Sequence, residues 1–225
     1  MLFVYDEHPG KTRWASWLLG FIGRSVMRLA YRIRIEPPPG DIVREGPVLI
    51  VSKHSTEIDI PLGYNAMLQA FGRHAWCVMK ASLTRWFYLG FFWKIGGIPL
   101  DRENPEKSKR FLVFAKNKLY EGNMLVLFPE QTTFWRTMGE GKVAGFRFIT
   151  GKPAEPLTCY PVGFQYTSGF PRSIVLIRFG EAMMYSKQDD PAVFLHRIMS
   201  EVAALSGLEY PFPAPIQRVK MSSET

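Results

Sequence analysis

The segment Ser52 to Pro61 (SKHSTEIDIP) places His54 five residues before Asp59, directly after the apolar run Val48 to Ser52 (VLIVS). An unperturbed imidazole titrates at about 6.5, so it can accept a proton from a hydroxyl near neutral pH. A neighbouring carboxylate holds the ring in the tautomer that leaves one nitrogen free, and it stabilises the imidazolium as the proton arrives. Five residues of ideal helix would set the two side chains about 140° apart, so the pair can meet only if a turn precedes the helix. Taken alone, this spacing also fits a capped loop. A second cluster, Leu127 to Thr132 (LFPEQT), carries Glu130 just after another apolar run. A third, Gly96 to Arg102 (GGIPLDR), delivers Asp101 and Arg102 to a loop, where the plain reading is a surface ion pair. Open α/β sheets hold their ligands at such strand ends.

The elements that would carry these clusters follow from periodicity. Tyr31 to Ile35 alternates as a short strand, and Val48 to Ser52, Ala75 to Met79, Gly97 to Leu100, Met124 to Phe128, Leu157 to Tyr166 and Ser173 to Phe179 read as further strands. Ile60 to Phe71, Leu83 to Ile95, Pro105 to Tyr120 and Pro191 to Leu205 read as helices, the last ended by Gly207. Apolar strands interleaved with helices predict an α/β fold. Its sheet is mixed, largely parallel and covered by helices on both faces, with an N-terminal amphipathic helix ahead of it. Glu36 to Gly40 (EPPPG) cannot be helical. The chain then divides into an N-terminal membrane-associating segment (1–36), a main domain (37–210) and a loosely attached tail (211–225). Trp86, Phe87, Tyr88, Phe91, Phe92 and Trp93 read first as core packing, with an acyl-chain slot or a membrane face as the other uses of such density.

The 225 residues carry 28 Lys and Arg against 20 Asp and Glu, a formal charge of +8, which favours a polyanionic partner. With 47% of residues hydrophobic the chain can bury a core, so wholesale disorder is excluded. Cys77 and Cys159 lack any CxxC or Cys/His spacing, so neither a disulfide framework nor a metal site is expected. Six basic and no acidic residues lie between Lys11 and Arg34, overlapping the greasy stretch Trp14 to Gly23. That stretch falls short of the ~20 residues a spanning helix needs. At helical spacing Arg24, Arg28 and Arg32 form a row bordered by Trp14, Trp17 and Phe21, with Leu18, Ile22, Val26 and Leu29 further round. This is how a helix lying in the headgroup layer distributes rings and cations. An anionic membrane surface is therefore an expected partner, and a peripheral or monotopic place on a cytoplasmic membrane face the expected location. A helix docked on its own domain is the simpler alternative.

In order and spacing these clusters resemble the four blocks of the glycerophospholipid acyltransferases, a family that includes the lysophosphatidate (1-acylglycerol-3-phosphate) acyltransferases. The resemblance runs from about Val48 to Gly180. His54 and Asp59 match the H-x4-D block, Gly97 to Arg102 (GIPLDR) the second, Phe128 to Thr132 (FPEQT) the third, and Tyr160 to Gly163 (YPVG) the fourth. The resemblance implies transfer of a fatty acyl group from a thioester on coenzyme A or acyl carrier protein to a hydroxyl of a lysolipid or glycerol-phosphate-type acceptor. It needs no cofactor beyond that co-substrate. His54 would act as general base with Asp59 orienting it. Gly97, Arg102, Pro129 and Thr132 would bind or frame the acceptor, and Glu130 would position it or fix neighbouring backbone. Lys142, in GKVAG with Gly145, resembles the basic residue that follows the third block. That block departs from the usual FPEGTRS: Gln131, Thr133 and Phe134 stand where the family has Gly, Arg and Ser. An expected phosphate ligand is missing, and Arg136, Lys142 or Arg147 are the nearby cations that could replace it.

Other classes fit less well. No G-x-S-x-G elbow marks a serine hydrolase, and no phosphate-cradling glycine loop follows a strand. A non-catalytic basic module for membranes or nucleic acid would explain the charge, but not three polar clusters at successive strand ends, so no nucleic-acid partner is expected.

Overall fold

The computed structural model describes residues 8–84, 88–101 and 105–215. The chain begins with helix α1 (Arg13–Phe21), a π-helical turn (Ile22–Val26) and α2 (Met27–Ala30), then enters the sheet with β1 (Tyr31–Glu36). There follow β2 (Val48–Ser52), α3 (Asp59–Phe71), β3 (Ala75–Lys80), a 3-10 turn (Ala81–Thr84), α4 (Phe91–Lys94), β4 (Gly97–Leu100), α5 (Pro105–Tyr120) and β5 (Met124–Leu127). The last elements are α6 (Val143–Thr150), β6 (Leu157–Thr167), β7 (Ser173–Phe179), β8 (Met183–Tyr185) and α7 (Pro191–Leu205).

One eight-stranded sheet runs in the order β1-β7-β6-β2-β5-β3-β4, with β8 also paired to β6. β2, β3, β4 and β5 are mutually parallel, as are β2 with β6 and β1 with β7, while β6 meets β7 and β8 antiparallel. The sheet is therefore mixed and largely parallel, as expected. All five residues of β2 are buried because both faces are covered. Val48 and Ile50 pack with Leu62, Ala66 and Phe71 of α3 on one face. Leu49 and Val51 pack with α5, α6 and α7 on the other. Pro161, which has no N–H to donate, falls where β6 changes neighbours: β8 pairs Leu157 to Cys159 and β7 pairs Val162 to Thr167. α7 starts at Asp190, whose carboxylate accepts from the amides of Ala192 and Val193, with Pro191 in the first turn.

Three expectations are corrected. The single aromatic helix over Leu83 to Ile95 is broken: Leu89 (φ 48°) and Gly90 (φ 68°) take left-handed conformations, and among its described residues the α-helical part is Phe91–Lys94. Trp93 of that group is core, whereas Trp86 and Phe87 lie outside the described residues. The basic row does not continue to Arg32, because the helix ends at Ala30 and Arg32 belongs to β1. The sheet thus starts inside the segment assigned to residues 1–36. The N-terminal helix also buries a different side: Ala15, Ser16, Leu19 and Gly23 face inward, while Trp14, Trp17, Phe21, Val26 and Leu29 are exposed. Gly23 decides this. A Cβ there would lie 2.0 Å from the carbonyl oxygen of Pro61, so only glycine lets the π-helical turn rest on α3.

Candidate active site

The polar clusters gather at the carboxyl ends of β2, β3, β4 and β5. A turn at Thr56 to Ile58 precedes α3, with Asp59 N–H donating to Thr56 O at 3.1 Å and Ile60 N–H to Glu57 O at 3.3 Å. It folds Asp59 back toward the strand end, and His54 Nδ1 lies 3.4 Å from Asp59 Oδ2. The carboxylate is buried and fully engaged. Oδ2 accepts from the amides of Ser55 (2.5 Å) and Thr56 (2.9 Å), and Oδ1 accepts from the hydroxyl of Tyr166. With Nδ1 turned to a carboxylate, the proton belongs on Nδ1 and Nε2 is free to accept one. Phe128 packs against the imidazole at 4.6 Å between centroids.

A second, wholly buried pair lies behind the histidine. Lys53 Nζ donates to both Glu130 carboxylate oxygens at 3.0 and 3.1 Å and to Phe134 O at 2.9 Å. Glu130 also accepts from the amides of His54 (3.1 Å) and Gly139 (2.6 Å), and Phe134 N–H donates to His54 O at 3.0 Å. One ion pair thus fastens the His54 backbone to the loop after β5. Burial pulls the Lys53 pKa below the ordinary lysine value, and the Glu130 carboxylate holds against that shift. In this loop Gln131 has φ 60°, a conformation glycine adopts without strain and one that fits the glycine usually found there.

His54 opens into a cavity of about 300 Å³. Its inner wall is apolar, with Val78, Leu100, Leu112, Leu127, Phe146 and Ile149. Polar groups line the rest, among them Lys80, Thr132 and Lys142, and Pro129 and Gly145 also form part of the wall. Lys142 Nζ pairs with Glu140 at 2.6 Å. Cys77 reaches the same wall, with its thiol pushed up to about 12 by burial. Of the residues the sequence pointed to, His54, Pro129, Thr132 and Lys142 line the cavity and Asp59 backs it. Glu130 and Gly97 do not. Glu130 is spent on Lys53 and backbone amides, and Gly97 is buried where a Cβ would strike Met79 Sδ and Phe92 O. Arg102 lies outside the described residues, and Arg136 lines two clefts on the Tyr166 side rather than this cavity.

Three contributors were not singled out from sequence: Lys53, Lys80 and Tyr166. A lysine continuing a buried strand demands a buried carboxylate, so Lys53 was detectable in principle. Tyr166 reaches Asp59 across 107 residues, and no local spacing announces it.

An imidazole–carboxylate pair facing an apolar cavity with cations along its wall suits deprotonation of a hydroxyl beside an amphipathic substrate. A family model described as Acyltransferase matches residues 36–162, more than half of the chain. The chain belongs to that acyltransferase family. Among solved structures it is similar to the crystal structure of the 1-acyl-sn-glycerophosphate (LPA) acyltransferase PlsC from Thermotoga maritima. The TM-score is 0.58, with 83% of this chain and 76% of that chain covered and 17% of residues identical. At that identity the likeness speaks to fold. No curated protein matches the chain.

Proposed function

We propose that this protein transfers a fatty acyl group from an acyl thioester, on coenzyme A or acyl carrier protein, to a hydroxyl of a lysophospholipid or glycerol-phosphate-type acceptor. The observation that carries the reading is the His54–Asp59 pair, with Nε2 free, facing an apolar-walled cavity at the strand ends. His54 Nε2 takes the hydroxyl proton as the oxygen attacks the thioester carbonyl. The tetrahedral intermediate collapses, the C–S bond breaks, and the imidazolium returns its proton to the departing sulfur. Lys80 and Lys142 offer charge to an anionic acceptor at the polar side of the cavity, together with Arg102 of the second block. Pro129 and Thr132 shape the wall, while Glu130 and Gly97 serve by holding backbone in place.

The test supplies purified protein with each thioester and a panel of lysolipids, with and without phosphate, and follows thiol release. Acceptor-dependent release is expected; its absence with every donor and acceptor would reject the proposal. Tyr166 acts here as a positioning residue. Tyr166→Phe is expected to lower kcat about tenfold, the worth of one hydrogen bond to a charged group, with KM little changed. An unchanged kcat would limit Tyr166 to packing.

The acceptor is a membrane lipid in this reading, and the exposed surface supports attachment to an anionic bilayer face. Trp14, Trp17, Phe21, Leu29 and Phe170 are all exposed, with Arg24 and Arg28 among them. Among the described residues no helix is long and apolar enough to cross a membrane. Co-sedimentation with anionic vesicles is expected to weaken as salt rises, because exposed charges are screened beyond about 10 Å at 0.1 M. Binding that ignores salt would argue for purely apolar attachment.

A further inference from the structure

A groove of about 740 Å³ runs between α1 and α3 and shares no lining residue with the catalytic cavity. We propose that it is a binding site for the phosphate-bearing headgroup of a membrane lipid. The proposal rests on the membrane-facing reading of α1 given above.

Charge is the first argument. Arg13 and Arg24 line the groove from the α1 side, Lys11 and His74 line it as well, and no Asp or Glu does. Burial, then Arg73 and Lys118 nearby, lower the Lys11 pKa to about 7, and an anion in the groove would offset that repulsion. Hydrogen bonding is the second argument. Asn65 is 3% exposed and lines the groove. Its Oδ1 accepts from Gln69 at 3.1 Å, but among the described residues its Nδ2 has no partner, and neither does Thr12 Oγ1 on the same wall. Buried donors are nearly always satisfied, and with under 1 Å² of its surface accessible this one meets a phosphate oxygen once the wall around it opens. The third argument selects a lipid over a soluble phosphate. Trp17 and Phe21 border the groove, stack at 5.5 Å between centroids with an 11° tilt, and are 68% and 45% exposed. A headgroup bound between the arginines would leave its chains beside these rings, at the depth where aromatic side chains meet the acyl layer.

The experiment uses the full chain and flotation with phosphatidylcholine vesicles, with and without phosphatidylglycerol. Asn65→Asp keeps the side-chain shape and turns the donor into a repelling acceptor, so affinity for the anionic vesicles should fall about tenfold or more. Binding to phosphatidylcholine alone should not change. Asn117→Asp, on the exposed face of α5, makes the same charge change away from the groove and should leave both unaltered. Arg24→Gln should cost more than Arg28→Gln, since both are exposed but only Arg24 lines the groove; this comparison needs no substitution in the interior.

Equal losses for Arg24→Gln and Arg28→Gln, or wild-type affinity in Asn65→Asp, would overturn the headgroup site and leave diffuse membrane attraction standing. No wild-type binding to anionic vesicles would remove the membrane reading as well. Binding of sn-glycerol 3-phosphate in the groove without any effect on vesicle affinity would assign the groove to a soluble phosphate and overturn the lipid assignment.

Discussion

Replacing His54 by alanine is expected to slow acceptor-dependent thiol release by about 10²–10⁴-fold, the range general-base catalysis supplies. In the proposed reaction the thioester is already activated, so the protein's task would be to orient the two substrates and take the hydroxyl proton. Residual turnover would reflect positioning and cavity electrostatics that survive loss of the base. The substitution should not unfold the chain, because the ring is half-buried and His54 is held through its backbone by Glu130 and Phe134. Unchanged rates in a folded His54→Ala protein would end the general-base assignment. Asp59→Asn tests the partner. It removes the charge and sets its NH2 either against the Tyr166 hydroxyl or, in place of Oδ2, against the ring and the Ser55 and Thr56 amides together, so both activity and stability should drop.

Lys53→Met carries the largest expected effect on stability. Both members of the Lys53–Glu130 pair are fully buried, and removing the ammonium leaves Glu130 as an uncompensated interior charge. Such losses cost about 3–5 kcal/mol. They are read as a fall in the urea midpoint at constant m value. Glu130→Gln should be nearly as damaging, because its NH2 then confronts the ammonium together with the amide of either His54 or Gly139. A loss below about 1 kcal/mol, the range typical of exposed pairs, would mean that water reaches this pair. The same substitutions loosen the loop that forms one wall of the cavity, so activity should fall before the chain unfolds.

Much of the sheet could be read directly from sequence because β2, β5 and the first part of β6 are buried on both faces, which writes them as uninterrupted apolar runs. The H-x4-D spacing also announced its own condition, a turn ahead of α3, and the turn is there. Shorter or interrupted elements were harder to see. α6 has eight residues within a glycine-containing stretch, and β8 has three, so neither shows enough periodicity. The aromatic run before β4 looked helical by composition, but Leu89 and Gly90 leave the right-handed region and tertiary packing of Trp93 prevails over propensity. At the site, the residues legible in sequence are those adjacent along the chain. Lys53 to Glu130 and Tyr166 to Asp59 are closures across the sheet, and only the strand order β6-β2-β5 brings them together. The basic row went astray for a local reason: Ala30 ends the helix and Arg32 passes into a strand.

The Cys77 thiol has a chemical consequence. In the proposed reaction a sulfhydryl on the wall of this cavity is a hazard, since its anion would exchange with the thioester donor and strand the acyl chain on the protein. With burial pushing its pKa up to about 12, that anion is strongly disfavoured at neutral pH. In the proposed reaction, self-acylation would be suppressed by the environment of the sulfur rather than by its distance, and a polar substitution beside it would open the protein to poisoning by its donor.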